Sequence, residues 1–425
     1  MSLLKKIKQF LGLDPALLSK IEKNINDLKK NGFPLIKFWI YAESMGEFRF
    51  ALALSEAVKK VLKNKPGAKN PLFFISFKTK STLDLARGLV DKKNGLSSVI
   101  YSFHSSVYAP IFSPDYFISV EHPVSRLLVK RLLKSNSRLF FTGLNLSENN
   151  KFLKFLKRTV EKARFQKSNI NLTASTVHEI ESAERKIPGL SRALKFEILP
   201  GKFKFNEIFE NEIPKNFPSF GGNNIVLSFV STHRKESLFL IKLISKITAE
   251  KPRINFKFFM APRNVGISRY ILAKSKALGL SPVFMKNINT PEVDFIYNNK
   301  YNLLIVDSYG ILDKIYPLSD IVFIGKSLFE DEKGGHNIIE PASFGKAIIT
   351  GSHADNFKEI VSEMIKYNAI DVACPENLKA VIYNLIDNPE LRAEKGLNAL
   401  KYYIEKRDFA RKNLFKYISR VLSEE

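Results

Sequence analysis

The sequence has a single cysteine, Cys374, among its 425 residues. One thiol cannot close an internal disulfide, and no set of cysteines and histidines has the spacing of zinc ligands. The sequence also has no apolar run long enough to span a membrane, and lysines interrupt its start too often for a signal peptide. These absences argue against a disulfide scaffold, a zinc module and a membrane-spanning protein, and they fit a reducing compartment.

The charge of the chain is strongly unbalanced. Lys and Arg number 67 against 42 for Asp and Glu, which leaves a formal charge of +25. Such an excess favours partners that carry negative charge: nucleic acid, anionic lipid or phosphorylated sugar. Basic and aromatic residues do not cluster on a predicted strand, as they do in RNA-binding modules, so nucleic acid is not the expected partner.

Residues 1–34 form a separate basic segment. Leu4, Ile7 and Leu11 recur near helical spacing, while Lys5 falls on another face. An amphipathic helix of this kind lies on an anionic membrane surface or packs its apolar face against the protein, and the pattern is the same in both cases.

From residue 35 onward, short apolar runs alternate with amphipathic stretches, which is typical of parallel sheets flanked by helices. The first series fills residues 35–212, and the prolines and glycines of 213–223 predict a linker. The alternation starts again over 224–405, so we expect an α/β fold with two Rossmann-like domains. A basic helical run over 406–425 follows, and packing of this run back on the first domain is compatible with its pattern.

A segment in the second half has the features of a ligand-binding loop. Gly334 and Gly335 allow close approach of the backbone to a ligand. His336 and Asn337 follow where we expect a helix to begin and to offer N–H groups to phosphate. Glu340, about one turn further on, is placed to accept hydrogen bonds from ribose hydroxyls. Two glycines alone would indicate an ordinary turn, and the polar residues beside them favour a phosphate site.

The segment GGHNIIEPASFGKAIITGSHADNFKEI at 334–360 resembles the bacterial 3-deoxy-D-manno-octulosonic acid (Kdo) transferases of lipid A assembly. Other segments resemble the same family in the same order: YAESMGE (41–47), SVEHP (119–123), PGKFKF (200–205), STH (231–233), APR (261–263), DSYGIL (307–312) and FIGKSL (323–328). The resemblance covers roughly residues 35–405. It implies a GT-B-type architecture, in which two facing Rossmann-like domains have a cleft between them.

The resemblance assigns Glu47 as the general base that takes the proton of an acceptor hydroxyl. Residues predicted to line the acceptor side or the cleft are Gly46, Glu121 and Lys202. Charge that develops on a leaving nucleotide requires cations or backbone donors. The predicted donor-binding residues are Arg263, Ser231, Thr232, His233, Gly334, Gly335, His336, Asn337 and Glu340.

Structural interpretations of single residues stay open beside these roles. Glu47 also fits a carboxylate that stabilises a helix start, and Glu121 fits a buried capping carboxylate. Lys202 alone could be a surface cation, and His233 alone a hydrogen-bonded structural histidine.

The reaction that the resemblance implies is inverting transfer of Kdo from CMP-Kdo to a lipid A precursor. The expected place is the cytoplasmic face of the inner membrane, where the enzyme would bind peripherally to an anionic surface. The sequence has no Asp-x-Asp motif, and the acidic run at 330–332 is interpreted as a solvated loop, so neither a metal nor another cofactor is expected.

Three positions depart from the family pattern: Arg234 replaces the usual Glu after STH, Asn264 the usual His after APR, and Lys326 a usual glycine. Two other interpretations stay open. One is another GT-B nucleotide-sugar transferase or a 2-epimerase-like enzyme, which the order of motifs disfavours. The other is a non-catalytic relative that binds anionic lipid or nucleic acid, which the presence of Glu47 disfavours.

Overall fold

The structure is a computed structural model. It describes residues 19, 34–43, 45–63, 70–78, 99–103, 112–144, 146, 149–163, 170–174, 177–198, 224–287, 295–296 and 300–423. The described residues therefore exclude the linker at 213–223 and Lys202. They also exclude the basic segment at 1–34, apart from Ser19 and Pro34.

The chain divides into two compact units. The first combines Met1–Glu210 with Arg407–Glu425, and the second is Asn211–Lys406. Each unit has its own seven-stranded parallel sheet, and the predicted α/β fold of two Rossmann-like domains is confirmed.

The sheet of the first unit has the order β3-β2-β1-β4-β5-β6-β7, with every neighbouring pair parallel. Its strands are β1 (Leu35–Ala42), β2 (Asn70–Phe77), β3 (Val99–Phe103), β4 (Tyr116–Val120), β5 (Arg138–Thr142), β6 (Ile170–Ala174) and β7 (Lys195–Ile198). The helices in the described part of this unit are α1 (Met45–Lys63), α2 (Arg126–Lys134), α3 (Asn150–Ala163), α4 (Val177–Lys186) and α5 (Leu190–Ala193). The strand order reverses between β1 and β4, and open α/β sheets bind ligands beyond the carboxyl ends of strands at such a switch point.

The strands of the first unit are apolar runs because helices cover the sheet. Trp39 in β1 is fully buried, and its indole N–H donates to the Ser76 hydroxyl at 2.7 Å. A buried indole needs such a partner, since an unpaired N–H in the core would cost free energy. This bond ties β1 to its neighbour β2 inside the sheet.

The sheet of the second unit has the order β10-β11-β9-β8-β12-β13-β14, again with parallel pairs. Its strands are β8 (Asn224–Thr232), β9 (Asn255–Pro262), β10 (Pro282–Phe284), β11 (Leu303–Ile305), β12 (Ile321–Ile324), β13 (Ala347–Gly351) and β14 (Asp371–Ala373). Its helices are α6 (Arg234–Glu250), α7 (Ser268–Ala277), α8 (Leu312–Ile315), α9 (Ile339–Ser343), α10 (Lys358–Lys366) and α11 (Leu378–Asp387). The switch point here lies between β8 and β12.

The last helix, α12 (Pro389–Ser423), contributes its final part to the first unit. There the Tyr417 ring lies 6.2 Å from the Phe140 ring of β5, and Leu414 and Ile418 are buried. Within the described part of the chain, no helix combines the length and apolar character needed to cross a membrane.

Candidate active site

Three residues predicted for the acceptor side, Gly46, Glu47 and Glu121, lie at the switch point of the first unit. Glu47 lies in the first turn of α1, directly after Gly46 and just beyond the end of β1. Glu121 and His122 follow the last residue of β4, which pairs with β1. The sequence prediction included Glu47 and Glu121 and missed His122, although the histidine stands in the same SVEHP segment.

Glu47 is buried, with 3% of its side chain exposed, and both carboxylate oxygens have neighbours. Oε2 accepts the backbone N–H of Glu43 at 2.6 Å. Oε1 lies 3.3 Å from Nε2 of His122, whose side chain is 38% exposed. The carboxylate and the imidazole thus form a pair with one buried and one accessible member.

A second carboxylate, Glu43, completes this cluster. It accepts the Tyr41 hydroxyl at 2.7 Å and the Lys78 ammonium at 2.8 Å, and it lies 3.8 Å from His122. Partial burial raises the pKa of Glu43, but the bonds from Lys78 and Tyr41 outweigh it and hold the pKa below its ordinary value. Glu43 is therefore an anion beside the pair.

The hydrogen bond with Glu47 raises the pKa of His122 above its ordinary 6.5. Burial opposes this shift, and the charges of Glu47, Glu43 and Glu121 add to it. Three carboxylates therefore favour the imidazolium form of His122.

Glu121 has a left-handed backbone with φ of 60°. Its N–H donates to the Thr142 carbonyl at 2.7 Å, and a Cβ on the neighbouring Gly143 would lie only 3.2 Å from Glu121 Cγ. A non-glycine residue in this conformation costs on the order of 1–3 kcal/mol, and such strain is concentrated at functional sites. The strained turn supports a functional role for this strand end.

In the second unit, the end of β8 is irregular at the predicted donor residues. The register with β9 shifts between Val230 and Thr232, and the residue between them, Ser231, has φ of 55°. Thr232 is buried and shares a 2.8 Å hydroxyl contact with Ser237. The chain then turns into α6 with His233 as its N-cap.

Four basic side chains gather near this turn: His233, His336, Arg263 and Lys326. Nε2 of His336 lies 3.4 Å from Nε2 of His233, and the backbone N–H of Arg263 donates to the Thr232 carbonyl at 2.9 Å. Burial lowers the pKa of His336 to about 4, and the charges of Arg263, His233 and Lys326 contribute to the shift. Because His336 is neutral at pH 7 while the arginine and lysine are charged, the group can attract an anion.

The two glycines of the predicted loop pack against Lys326. Gly334 and Gly335 have φ of 126° and 72°, and the Gly335 N–H donates to the Lys326 carbonyl at 2.6 Å. A Cβ on Gly334 would lie 2.9 Å from Asn356 Nδ2 and 3.4 Å from Lys326 Nζ. Glycine is therefore needed here for conformation and for space.

The helix expected after this loop is short. α9 has five residues, and the Asn337 side chain accepts the N–H of Ile339 at 3.0 Å, so one of its free N–H groups is already used. Glu340 lies in α9, where its Oε2 is 3.5 Å from the hydroxyl of the buried Tyr316. That contact is too long to be strong, so the carboxylate can accept hydrogen bonds from a ligand.

Glu236 is the main residue of this site that the sequence analysis missed. It is fully buried and accepts four backbone N–H groups. Oε2 accepts from His233 at 3.1 Å and Lys326 at 2.6 Å, and Oε1 accepts from Ser327 at 2.8 Å and Leu328 at 2.9 Å. Its spacing of three residues after the N-cap is that of a capping box, which could have signalled part of this role. Glu236 thus links the loop after β12 to the start of α6.

In the acidic run at 330–332, expected to be a solvated loop, Glu330 and Asp331 are exposed, and Glu332 has a structural contact as well. The run forms a 3-10 turn, and Glu332 accepts the N–H groups of Lys235 and Glu236, both at 3.2 Å. A carboxylate at a helix N-terminus satisfies free N–H groups there and interacts favourably with the dipole. In the described ranges, no three His, Cys, Asp or Glu side chains are grouped so that they could hold a metal ion.

Two of the three departures from the family pattern have local structural roles. The Arg234 guanidinium lies 5.0 Å from the centre of the Tyr270 ring. The Asn264 side chain accepts the Gly266 N–H at 2.9 Å and caps the 3-10 turn Val265–Ile267. The third, Lys326, adds a cation to the basic group described above.

Comparison with known proteins supports the family expected from the motifs. No family model matches the chain. A bifunctional glycosyltransferase/methyltransferase of Fusobacterium nucleatum is 22% identical over 85% of this chain and 53% of its own length. A 3-deoxy-D-manno-octulosonic acid transferase of Rickettsia prowazekii is 25% identical over 86% of this chain and 75% of its own length. The predicted resemblance to the Kdo transferases is confirmed.

The chain spans about half or less of the length of the first curated relatives. The first four curated relatives are matched over 24% to 53% of their own lengths. Solved structures agree in fold over most of the chain. A glycosyltransferase of Rickettsia africae ESF-5 is similar over 92% of this chain and 100% of its own, with a TM-score of 0.55 and 13% identity. A UDP-N-acetylglucosamine 2-epimerase described as putative, from Listeria monocytogenes, has a TM-score of 0.57 at 12% identity, over 92% of this chain and 98% of its own.

Proposed function

We propose that the protein is an inverting glycosyltransferase that moves Kdo from CMP-Kdo to the glucosamine disaccharide of a lipid A precursor. The observation that carries this proposal is the basic group at the switch point of the second unit, His233, Arg263, Lys326 and His336, in a chain similar to Kdo transferases over most of its length. A nucleotide monophosphate and the carboxylate of Kdo are both anions that such a group would attract.

In this proposal the second unit binds the donor. Arg263 and Lys326 stabilise the charge that develops on the phosphate as CMP leaves, and Ser231, Thr232, His233, His336 and Asn337 line the site. Gly334 and Gly335 let the backbone approach the donor, and Glu340 accepts hydrogen bonds from ribose hydroxyls. Arg263 and Lys326 can stabilise the negative charge of the phosphate without a metal. We therefore expect transfer without a divalent ion or another cofactor.

The first unit supplies the acceptor chemistry. Glu47 removes the proton of the attacking hydroxyl. Glu121, Gly46 and Lys202 lie on the acceptor side in this proposal. The anionic phosphates of the acceptor fit the net charge of +25, which also favours peripheral binding at the anionic cytoplasmic face of the inner membrane.

Titration calorimetry with CMP, CMP-Kdo and UDP-N-acetylglucosamine tests the donor assignment. We expect both cytidine ligands to bind at least about tenfold more tightly than the uridine ligand, a difference of about 1.4 kcal/mol. Tighter binding of UDP-N-acetylglucosamine would favour the 2-epimerase-like alternative, and no binding of any nucleotide would favour a non-catalytic relative.

A further inference from the structure

The first unit holds a histidine beside the proposed base that the family pattern did not single out. Nε2 of His122 lies 3.3 Å from Oε1 of Glu47, and the imidazole is far more exposed than the carboxylate, at 38% against 3% of the side chain. The two residues follow neighbouring parallel strands, so the sheet itself brings them together.

We propose that His122 stores the proton that Glu47 removes from the acceptor hydroxyl and then releases it to solvent. This inference rests on the glycosyl transfer proposed above. His122 acts through Glu47 and needs no contact with the acceptor.

Each turnover moves one proton from the acceptor hydroxyl to solvent. The acceptor O–H bond breaks, and its oxygen forms a bond to the anomeric carbon of Kdo. The bond from that carbon to the phosphate oxygen breaks, and its electron pair leaves with CMP. The proton passes from Glu47 Oε1 to His122 Nε2, since an imidazole is ordinarily more basic than a carboxylate by about two pKa units. The exposed ring then returns the proton to water, and the Glu47 carboxylate is ready again.

Other titratable groups near His122 are less suited to this task. Glu43 already accepts hydrogen bonds from Tyr41 and Lys78, and it lies further from His122 Nε2, at 3.8 Å. The charge of Glu121, the residue before His122 in the chain, also raises the pKa of His122. Only Glu47 is within hydrogen-bond reach of Nε2 among the described carboxylates.

The charges around His122 determine the pH dependence. The Glu47 hydrogen bond raises the pKa of His122, and the Glu43 and Glu121 charges add to that effect while burial opposes it. The pair can accept a proton only when His122 is neutral. The active form is therefore populated above the raised pKa and is lost as the pH falls through it.

The pH profile of kcat in wild type and His122→Gln tests this role. We expect the wild-type rate to fall as the pH drops through the His122 pKa, above 6.5. In His122→Gln we expect a rate about 10-fold to 100-fold lower at pH 8, part of the about 10²–10⁴-fold that general acid–base catalysis contributes. The acid limb should move to lower pH, while KM for the donor changes by less than about twofold. His178→Gln, a histidine change in α4 of the same unit, is the matched control and should leave the profile unchanged.

A second readout does not depend on turnover. NMR of the histidine-labelled full chain should show that Glu47→Gln lowers the pKa of His122. An unchanged His122 pKa in Glu47→Gln would overturn the storage role alone. A His122→Gln enzyme that is slower but keeps the acid limb of the wild-type profile would do the same. A wild-type protein that transfers nothing from CMP-Kdo, with the His122–Glu47 coupling intact in the NMR titration, would overturn the proposed function itself and the storage role with it.

Discussion

Replacing Glu236 with glutamine is expected to destabilise the second unit by about 2–6 kcal/mol. Each carboxylate oxygen accepts two backbone N–H groups: Oε1 from Ser327 and Leu328, and Oε2 from His233 and Lys326. A glutamine has one oxygen and one NH2, so in either orientation two of the four buried N–H groups lose their acceptor. An unsatisfied buried donor costs about 1–3 kcal/mol, which gives the stated range. This is a large share of the about 5–15 kcal/mol that stabilises a typical domain.

Urea and thermal unfolding of the full chain measure this change. For a unit of this size the loss corresponds to a decrease in Tm of about 2–4 °C per kcal/mol. Glu332→Gln is the matched control, because Glu332 is partly exposed and accepts two longer bonds, each of 3.2 Å. We expect it to cost about 1 kcal/mol, as a helix cap does. A Glu236→Gln change below about 1 kcal/mol, or one no larger than that of the control, would refute the link between α6 and the loop after β12.

Three further outcomes follow from the donor site. Arg263→Ala should weaken CMP binding in calorimetry far more than cytidine binding, whereas Glu340→Ala should weaken both; equal losses for Arg263→Ala would contradict its phosphate role. The stability of the second unit should decrease as the pH falls from 6.5 towards 4, because the folded state holds the pKa of His336 at about 4. The loss is at most about 3 kcal/mol, and urea midpoints of His336→Gln should lack this component. Saturating EDTA should leave sugar transfer intact, and activity that returns only on addition of magnesium would show that a metal is needed.

Most strands of both sheets could be predicted from the sequence because they are short runs rich in apolar residues. The shorter strands β3, β10 and β14 were missed. β10 and β14 have only three residues each, and neither is a run of aliphatic residues like the equally short β11, Leu303–Ile305. Their place in the sheet comes from pairing with neighbours such as β11 and β13, which a local pattern does not contain.

Parts of the candidate site were predictable for a related reason. A glycine pair with polar residues beside it indicates a ligand loop, and Gly334 was found in this way, whereas the role of Glu47 came from the resemblance to the family. His122 and Glu236 act through partners that are distant in the chain, such as Lys326, which is 90 positions from Glu236. Such contacts depend on which strands are neighbours in the sheet. The order of the strands cannot be predicted from the sequence of any single segment. The basic group around His336 arises in the same way.

Incubation of the purified protein with CMP-Kdo and a lipid A precursor, followed by mass spectrometry of the lipid, measures the proposed reaction itself. We expect the lipid to gain the mass of one or more Kdo residues while CMP is released in equal number. A lipid of unchanged mass, in the presence of donor that calorimetry shows to be bound, would contradict Kdo transfer to this acceptor.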